Sequence, residues 1–287
     1  MMQDRWGLIL GILLVTVGGC ATVQNQPAPT STLDKLTATR RIALGYRDSS
    51  IPFSYVGADQ TPVGYSVELC THIVADLQRQ IPNLQVQWVP VTVESRIPAL
   101  LNGTIDLECG STTNTLARQE QVDFSLTTFL TGGSLLTLAE APVGAELRSL
   151  RIAVIPGTTT EQVLKTAVTQ SGAVVQFLAV SDHAAGLAAL EQQTADAYAS
   201  DRIILIGLAL AAPNPARFAL VDRYFSYEPY ALMLRRGDPA FRLAINRVLA
   251  RLYRSGQILE VYTHWFGRIG TPSALLLSLY AIEGVPE

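Results

Sequence analysis

Apolar and polar positions follow strand-like and helix-like periods in turn along the chain. Between residues 41 and 107 the order is strand, helix, strand, helix, strand, and a similar order recurs between 150 and 221. The predicted strands cover 42–44, 84–90, 105–107, 150–155, 174–178, 195–199, 218–221 and 230–234. This alternation predicts an α/β fold with mostly parallel, helix-flanked sheets.

The helical segments carry recognisable start and stop signals. Predicted helices cover 63–76, 93–101, 161–170, 182–190, 203–210, 239–255 and 258–266. Asp238 is expected to cap the longest of them, with Pro239 in its first turn and Gly256 at its end. The apolar tail at 275–282 is too short to span a bilayer, so it is expected to dock onto the core.

Composition favours a globular protein. The chain has 287 residues, of which 48% are hydrophobic and 16% charged, with a formal net charge of −3. The content of hydrophobic residues provides for a substantial core, and nothing is basic enough to follow a phosphate backbone, so nucleic acid is not an expected partner. Two units of about a hundred residues in series predict two lobes, and the cleft between them is a natural ligand site.

The N-terminus has the layout of an export signal at residues 1–20. A short polar start is followed by about a dozen apolar residues, two glycines and Cys20. The stretch 17–20 resembles the lipobox of bacterial lipoproteins, which predicts lipidation of Cys20; the alternative is an ordinary cleaved signal in which Cys20 is incidental. Residues 21–38 are rich in Pro, Ser, Thr and Gln, which predicts a flexible tether.

The remaining cysteines, Cys70 and Cys109, leave two interpretations. An exported compartment permits a disulfide, but sequence alone does not place the two side chains together. We favour two buried free thiols. The three histidines lie far apart in sequence and no cysteine and histidine cluster has metal-ligand spacing, so no metal and no cofactor is expected.

The stretch 108–125 suggests an anion site. The apolar run 105–107 ends in small hydroxyl residues, and Arg118 follows. Hydroxyls, backbone N–H groups and a guanidinium fork can together grip both oxygens of a carboxylate. The alternative is a polar turn with a surface arginine.

Several stretches resemble the family 3 extracellular solute-binding proteins, which capture polar amino acids for ABC transporters. The similarity runs from about residue 40 to 267 and is carried by 45–55, 62–66, 96–106, 108–125, 156–159 and 262–266. Within the family, 108–114 is most similar to the glutamate/aspartate-binding branch. The resemblance implies a two-lobed periplasmic binding protein fold of type II, with a ligand cleft and two hinge crossovers. Lobe 1 would comprise 39–134 plus 232–287, and lobe 2 would comprise 135–231.

The resemblance also implies how the α-groups of an amino acid would be held. Arg118, Ser111 and Thr113 would bind the α-carboxylate from lobe 1. Thr159, with the backbone N–H groups of the helix that follows, would contact it from lobe 2. Asp201 would accept hydrogen bonds from the α-ammonium.

The side-chain carboxylate of an acidic ligand would lie among Arg47, Arg96 and His183. One position departs from the branch pattern, because Val93 stands where a serine is usual and cannot donate a hydrogen bond. Thr92 and Ser95 are the candidates to compensate for it. Glutamate, aspartate, glutamine and asparagine therefore all stay open as ligands.

We expect the protein to be a monomer. We also expect it to bind its ligand without acting on it as an enzyme. It would deliver its ligand to an ABC permease in the cytoplasmic membrane, in the periplasm or on the outer surface of a bacterial membrane, anchored by lipid at Cys20. One alternative is a dehydratase of the same fold acting on an arogenate- or prephenate-like acid, with Asp201 and Glu228 as cleft acids. A second is a protein that presents its ligand to a separate sensor.

Overall fold

The computed structural model of the chain describes residues 31–143 and 149–287. The predicted signal with Cys20, and the predicted tether up to residue 30, lie outside the described residues. The described strands are β1 (Arg41–Tyr46), β2 (Ser49–Ser50), β3 (Ser54–Val56), β4 (Pro62–Val63), β5 (Gln85–Pro90), β6 (Leu107–Glu108), β7 (Val122–Thr131), β8 (Gly133–Leu138), β9 (Leu150–Val154), β10 (Val175–Ala179), β11 (Ala197–Asp201), β12 (Phe218–Leu220) and β13 (Glu228–Arg235).

The described α-helices are α1 (Thr32–Thr39), α2 (Tyr65–Gln80), α3 (Arg96–Leu101), α4 (Leu116–Gln119), α5 (Thr159–Ser171), α6 (His183–Glu191), α7 (Arg202–Ala211), α8 (Pro239–Ser255), α9 (Gln257–Phe266) and α10 (Ala274–Glu283). A short 3-10 helix spans Pro215–Arg217. Helix α8 begins and ends as predicted: the Asp238 side chain accepts a hydrogen bond from the backbone N–H of Phe241 at 3.1 Å, and Gly256 adopts a left-handed conformation at the end.

Two five-stranded sheets organise the described chain. The first has the strand order β5-β1-β6-β13-β7, with β1 parallel to β5 and β6 and with β13 antiparallel to β6 and β7. The second has the order β10-β9-β11-β8-β12, with β9 parallel to β10 and β11 and with β8 antiparallel to β11 and β12. The fold is α/β as predicted. Each sheet is mixed rather than mostly parallel, because β7, β8 and β13 run against their neighbours.

The chain changes sheets twice. Strand β7 ends at Thr131 in the first sheet and β8 begins at Gly133 in the second, while β13 returns to the first sheet from Glu228. The predicted lobe boundaries after 134 and 231 lie near these points, although residues 228–231 pair with β7. A Cβ at Gly132 would collide with the carbonyl oxygen of Ser226, so the two crossing segments lie side by side.

The prediction of a flexible tether is wrong for residues 32–38, which lie in α1. The Ser31 side chain caps this helix, and the N–H of Thr32 donates to Oδ2 of Asp238 at 2.6 Å. Leu36 is fully buried in the core. A capping serine and an anchoring leucine therefore outweigh the polar composition of the segment.

The preference for free thiols is also wrong, because Cys70 and Cys109 form a disulfide. Cys70 lies on the buried face of α2, and Cys109 follows directly after β6. Their Cα atoms are 6.2 Å apart, and both residues are fully buried. The bond therefore ties α2 to the segment that leads into the predicted anion site.

The C-terminal tail packs onto the core as predicted. It forms α10, which buries Leu276 and Tyr280. The Tyr280 hydroxyl lies 2.9 Å from the hydroxyl of Tyr65 on α2. Within the described ranges, no helix has the length and the apolar character that crossing a membrane would need.

Candidate functional site

One cleft brings together all of the residues that the sequence predicted to bind ligand. The predicted residues that line it are Arg47, Arg96, Ser111, Thr113, Arg118, Thr159, His183 and Asp201. Further lining residues are Val93, Thr158, Thr160, Ser200 and Ile204. The structure thus confirms that these side chains meet in one place, whereas the role of each remains a prediction.

Strand ends and helix starts explain why these residues meet. Arg47 follows β1, and Ser111 comes shortly after the neighbouring parallel strand β6. The carboxyl ends of parallel strands lie at the same edge of a sheet, where ligand sites of α/β folds are usually found. In the second sheet, Asp201 ends β11 and Thr159 opens α5 after β9. The cleft is therefore lined from both halves of the chain.

The two halves touch each other across the cleft. The Arg118 guanidinium donates from Nη1 to the carbonyl oxygen of Thr113 at 2.7 Å and from Nη2 to that of Gly157 at 3.4 Å. The hydroxyl oxygens of Thr113 and Thr159 are 3.4 Å apart. Gly157 has a φ of +78°, a conformation that favours glycine, and it places the turn before α5 within reach of Arg118. The cleft is thus closed by direct contacts between the halves.

Three arginine side chains are buried at this site. Arg47 and Arg96 are each 4% exposed, and Arg118 is 9% exposed. Burial lowers the pKa of Arg47 to about 10, and the nearby charge of Arg96 acts in the same direction. Burial, followed by the charge of Arg96, lowers the pKa of Arg118 to about 10 as well. All three stay protonated at neutral pH, so the cleft concentrates positive charge in a poorly hydrated place.

The hydrogen bonds of Arg96 and Arg47 are incomplete within the described residues. Arg96 donates from Nη1 to the hydroxyl of Thr112 at 2.7 Å, while its buried Nε has no partner. The Thr112 hydroxyl in turn donates to Oε2 of Glu108 at 2.9 Å, and Oε1 of Glu108 has no partner. No hydrogen bond of the Arg47 guanidinium is found in the same described part of the chain. These free donors suit an anionic ligand.

Glycine at 110 permits the close approach of charged groups. A Cβ at this position would collide with Oε1 of Glu108 and lie 3.0 Å from Cγ of Arg47. The electrostatic influence of Glu108 raises the pKa values of Arg47, Arg96 and Arg118 against the effect of burial. Glu108 therefore acts as a shared counter-charge for the three guanidinium groups.

His183 is held by the end of the second sheet. Its Nδ1 lies 2.6 Å from the hydroxyl of Tyr198 and 3.5 Å from that of Ser200. Asp182 caps α6 by accepting from the N–H of Ala185 at 2.9 Å, which fixes the start of the helix that carries the imidazole. Burial, with Arg47 as a second cause, lowers the pKa of His183 to about 3. The imidazole is therefore neutral at neutral pH.

Asp201 is buried and already accepts two hydrogen bonds. Its Oδ1 accepts from the hydroxyl of Thr160 at 2.9 Å, and its Oδ2 accepts from the hydroxyl of Tyr230. Burial, followed by the charge of Glu228, raises the pKa of Asp201. A cationic group of a ligand would favour the ionised carboxylate.

Glu228 lies at the junction of both halves. It is 1% exposed and accepts hydrogen bonds from the hydroxyls of Thr113, Thr159 and Ser226, each at 2.6 Å. The sequence suggested this residue only as an acid for the dehydratase alternative. A lone acid shortly before an apolar strand was the available signal, but two of its partners, Thr113 and Thr159, lie far from it in sequence.

Thr92 and Ser95 do not replace the missing hydroxyl at position 93. The Ser95 hydroxyl accepts from the backbone N–H of Thr92 at 2.9 Å, and the Thr92 hydroxyl accepts from the N–H of Ser95 at 3.1 Å. Both residues form the turn before α3 and neither lines the cleft, whereas Val93 does. The expectation that one of them compensates is wrong.

The sequence also missed Ser200 and Thr160, which line the cleft, and Tyr198, which supports it. Ser200 directly precedes Asp201, so its place at the same strand end was the available signal. In the described part of the chain, no group of three or more His, Cys, Asp or Glu side chains is placed to hold a metal ion.

The two sheets and the polar cleft define a two-lobed α/β binding protein of type II. A solved structure of an ancestral amino acid-binding protein, a precursor of cyclohexadienyl dehydratase, matches 83% of this chain and 100% of its own with a TM-score of 0.69 and 24% identity. That likeness shows the fold. The family model of the bacterial extracellular solute-binding proteins, family 3, matches residues 42–268. The chain belongs to this family.

Two curated relatives are similar over most of their length. The L-glutamate/L-aspartate-binding protein of Pseudomonas aeruginosa is 35% identical over 254 residues, which cover 87% of this chain and 84% of the relative. The glutamate/aspartate import solute-binding protein of Escherichia coli K12 is 36% identical over 244 residues, which cover 84% of this chain and 81% of the relative. Both relatives are named as binding proteins, the second of them for import, and neither name is that of an enzyme.

Proposed function

We propose that this protein is the extracytoplasmic binding component of an ABC transporter and that it captures glutamate or aspartate. The observation that carries the proposal is the set of buried guanidinium groups of Arg47, Arg96 and Arg118 in one cleft. Burying a cation without a partner is costly, so such a cleft gains most from a ligand that brings more than one carboxylate. The names of the two relatives above support the same ligands.

The two ends of the cleft suit the two ends of an acidic amino acid. Arg118 and Ser111 bind the α-carboxylate together with the N-terminus of α5, where free backbone N–H groups favour an anion. Thr113 and Thr159 contact the α-groups from opposite halves of the cleft. Asp201 accepts hydrogen bonds from the α-ammonium. The positive charge of the ammonium favours the ionised form of the Asp201 carboxylate.

The side chain of the ligand extends toward the other two arginines. Arg47 and the unpartnered Nε of Arg96 donate to its carboxylate, and neutral His183 donates from the nitrogen that Tyr198 does not occupy. Glutamine or asparagine would offer one acceptor oxygen where an acidic ligand offers two. The cleft therefore favours the acidic pair.

Ligand binding closes the two lobes. Because the ligand contacts residues from both sheets, it gains more contacts in the closed state than in the open state and shifts the equilibrium toward closure. Small-angle scattering should show a smaller radius of gyration with ligand than without it. An unchanged radius would contradict closure by ligand.

Calorimetry on ligand-stripped protein tests the central proposal. The protein would be unfolded and refolded to remove bound amino acid, and then titrated with glutamate, aspartate, glutamine and asparagine. We expect the acidic pair to bind more tightly than the amides. Absence of binding by both glutamate and aspartate would overturn the proposal.

The proposed protein is a monomer that lies outside the cytoplasm. A lipid attached to Cys20 holds it at the membrane, near its permease. Mass spectrometry of the intact, membrane-extracted protein should show an acylated N-terminal cysteine, and Cys20→Ala should abolish the acylation.

We propose no catalytic activity, since Asp201 and Glu228 are both engaged by hydroxyl donors. Formation of product from arogenate by the pure protein would contradict that.

A further inference from the structure

Glu228 occupies a position that none of the proposed ligand contacts explains. It begins β13 at the point where the chain returns to the first sheet, and it does not line the cleft. Its Oε2 accepts from the hydroxyls of Thr113 and Thr159, and its Oε1 accepts from that of Ser226. Thr113 and Thr159 line the cleft from opposite halves, so one buried carboxylate bridges the cleft behind the ligand site.

Hydroxyl chemistry gives this arrangement a consequence. A carboxylate has no proton to give, so each of the three hydroxyls must donate its single proton to Glu228. The oxygens of Thr113 and Thr159 then offer only lone pairs to the cleft. A ligand carboxylate needs donors, whereas an ammonium group has three N–H donors and needs acceptors.

We propose that Glu228 is a positioning residue that holds the hydroxyls of Thr113 and Thr159 as acceptors for the α-ammonium of the ligand, beside Asp201. The proposal rests on the proposed function and deepens it. It reassigns these two hydroxyls from the α-carboxylate, which stays with Arg118, Ser111 and the N-terminus of α5. Three acceptors then match the three N–H donors of the ammonium group.

The same carboxylate connects the two crossing segments. Ser226 Oγ, which donates to Glu228, accepts a hydrogen bond from the N–H of Gly133 at 2.9 Å. The backbone near Thr113 is paired with β13, because the N–H of Asn114 donates to the carbonyl oxygen of Pro229 at 2.7 Å. Glu228 is thus held from both crossings, and its carboxylate joins Thr113 of the first half to Thr159 of the second.

A double-mutant cycle tests this role. Calorimetry would compare the wild type, Glu228→Gln, the pair Thr113→Val with Thr159→Val, and the triple variant, each titrated with the amino acid from the panel that binds the wild type best. Glutamine at 228 can itself donate, which frees a threonine proton to turn toward the ammonium. We expect Glu228→Gln to weaken binding about tenfold in the wild type and less than about threefold when both threonines are valine.

The outcomes separate the possible failures. Equal losses from Glu228→Gln in both backgrounds would show that it does not act through these hydroxyls and would overturn the inference alone. A wild type that binds none of the panel would overturn the proposed function and the inference together. The exposed acid Glu94 provides a matched control, because Glu94→Gln should leave affinity unchanged. If Glu228→Gln does not fold, Thr159→Val should by itself weaken binding of glutamate, and an unchanged affinity would overturn the inference.

Discussion

The imidazole Nδ1 of His183 and the hydroxyl oxygen of Tyr198 lie 2.6 Å apart at the end of the second sheet, and both residues are buried. Burial raises the pKa of Tyr198, so the hydroxyl keeps its proton. We expect the Tyr198 hydroxyl to donate to Nδ1 of the neutral ring, which leaves the ring hydrogen on Nε2. In that tautomer, His183 is a hydrogen-bond donor for the cleft.

His183 should not titrate near neutral pH in the ligand-free protein. Its pKa of about 3 in the folded state lies far below 6.5, the usual pKa of a histidine. Imidazole nitrogen shifts measured by NMR from about pH 8 down to about pH 4 should therefore stay those of a neutral ring. A titration midpoint near the usual pKa of a histidine would contradict the buried, neutral state.

The same pKa shift predicts how stability depends on pH. The imidazole of His183 binds a proton more readily in the unfolded chain than in the folded protein. The stability that depends on a neutral His183 is therefore fully present above the unfolded pKa of 6.5 and is lost as pH falls toward about 3. Urea denaturation should give a free energy of unfolding that falls over this range. The free energy of unfolding of the His183→Gln variant should fall less steeply over the same range. The same slope in the variant and the wild type would exclude His183 as the cause.

Arg47→Met should separate binding from stability. The buried guanidinium faces the charge of Arg96, and no hydrogen bond of it is found within the described residues, so its removal relieves a cost in the ligand-free protein. We expect an unchanged or higher midpoint of thermal unfolding and a loss of affinity for glutamate of about 30-fold or more.

The control for this change is Arg151→Met. Arg151 lies on β9 away from the cleft and pairs with Asp196 at 2.6 Å. Its replacement should leave glutamate affinity unchanged. If Arg47→Met lowered the unfolding midpoint as strongly as the affinity, the guanidinium would be a structural group rather than a ligand contact.

The sequence predicted helices best where local signals decide the structure. Asp238, Pro239 and Gly256 mark the bounds of α8, and each of these signals is local in sequence. Strands β7 and β8 were not predicted, since β7 buries positions without a regular alternation and β8 is buried throughout. A strand that is buried on both faces shows no alternation of apolar and polar residues in its sequence.

The site was predictable as a set of residues, but not as a network. Motif likeness and strand ends identified Arg118 and Asp201, and topology then brought them together. The disulfide of Cys70 and Cys109 and the bridge made by Glu228 depend on distances between distant segments, which local patterns do not contain. Their physical cause is the packing of α2 on the first sheet and the closure of the two halves.

Removal of the disulfide should lower stability. Cys70 and Cys109 are 39 residues apart in sequence, and closing such a loop typically contributes about 2–4 kcal/mol to the free energy of unfolding. Urea denaturation with and without reductant should show this loss. Peptide mapping should recover one linked peptide pair, and Cys70→Ala with Cys109→Ala should make the protein insensitive to reductant. A wild type insensitive to reductant would contradict a stabilising bond.

Val93→Ser should strengthen binding of an acidic ligand. Val93 lines the cleft beside Arg96 and offers no hydrogen bond, whereas a serine hydroxyl there could donate to the side-chain carboxylate. Calorimetry should show glutamate or aspartate bound about three- to tenfold more tightly. The control is Ser95→Ala, which removes a neighbouring hydroxyl already occupied by the backbone N–H of Thr92 and should change affinity little. If Val93→Ser had no effect with any ligand of the panel, the ligand side chain would not extend toward α3, and the assignment of Arg96 to that carboxylate would be wrong.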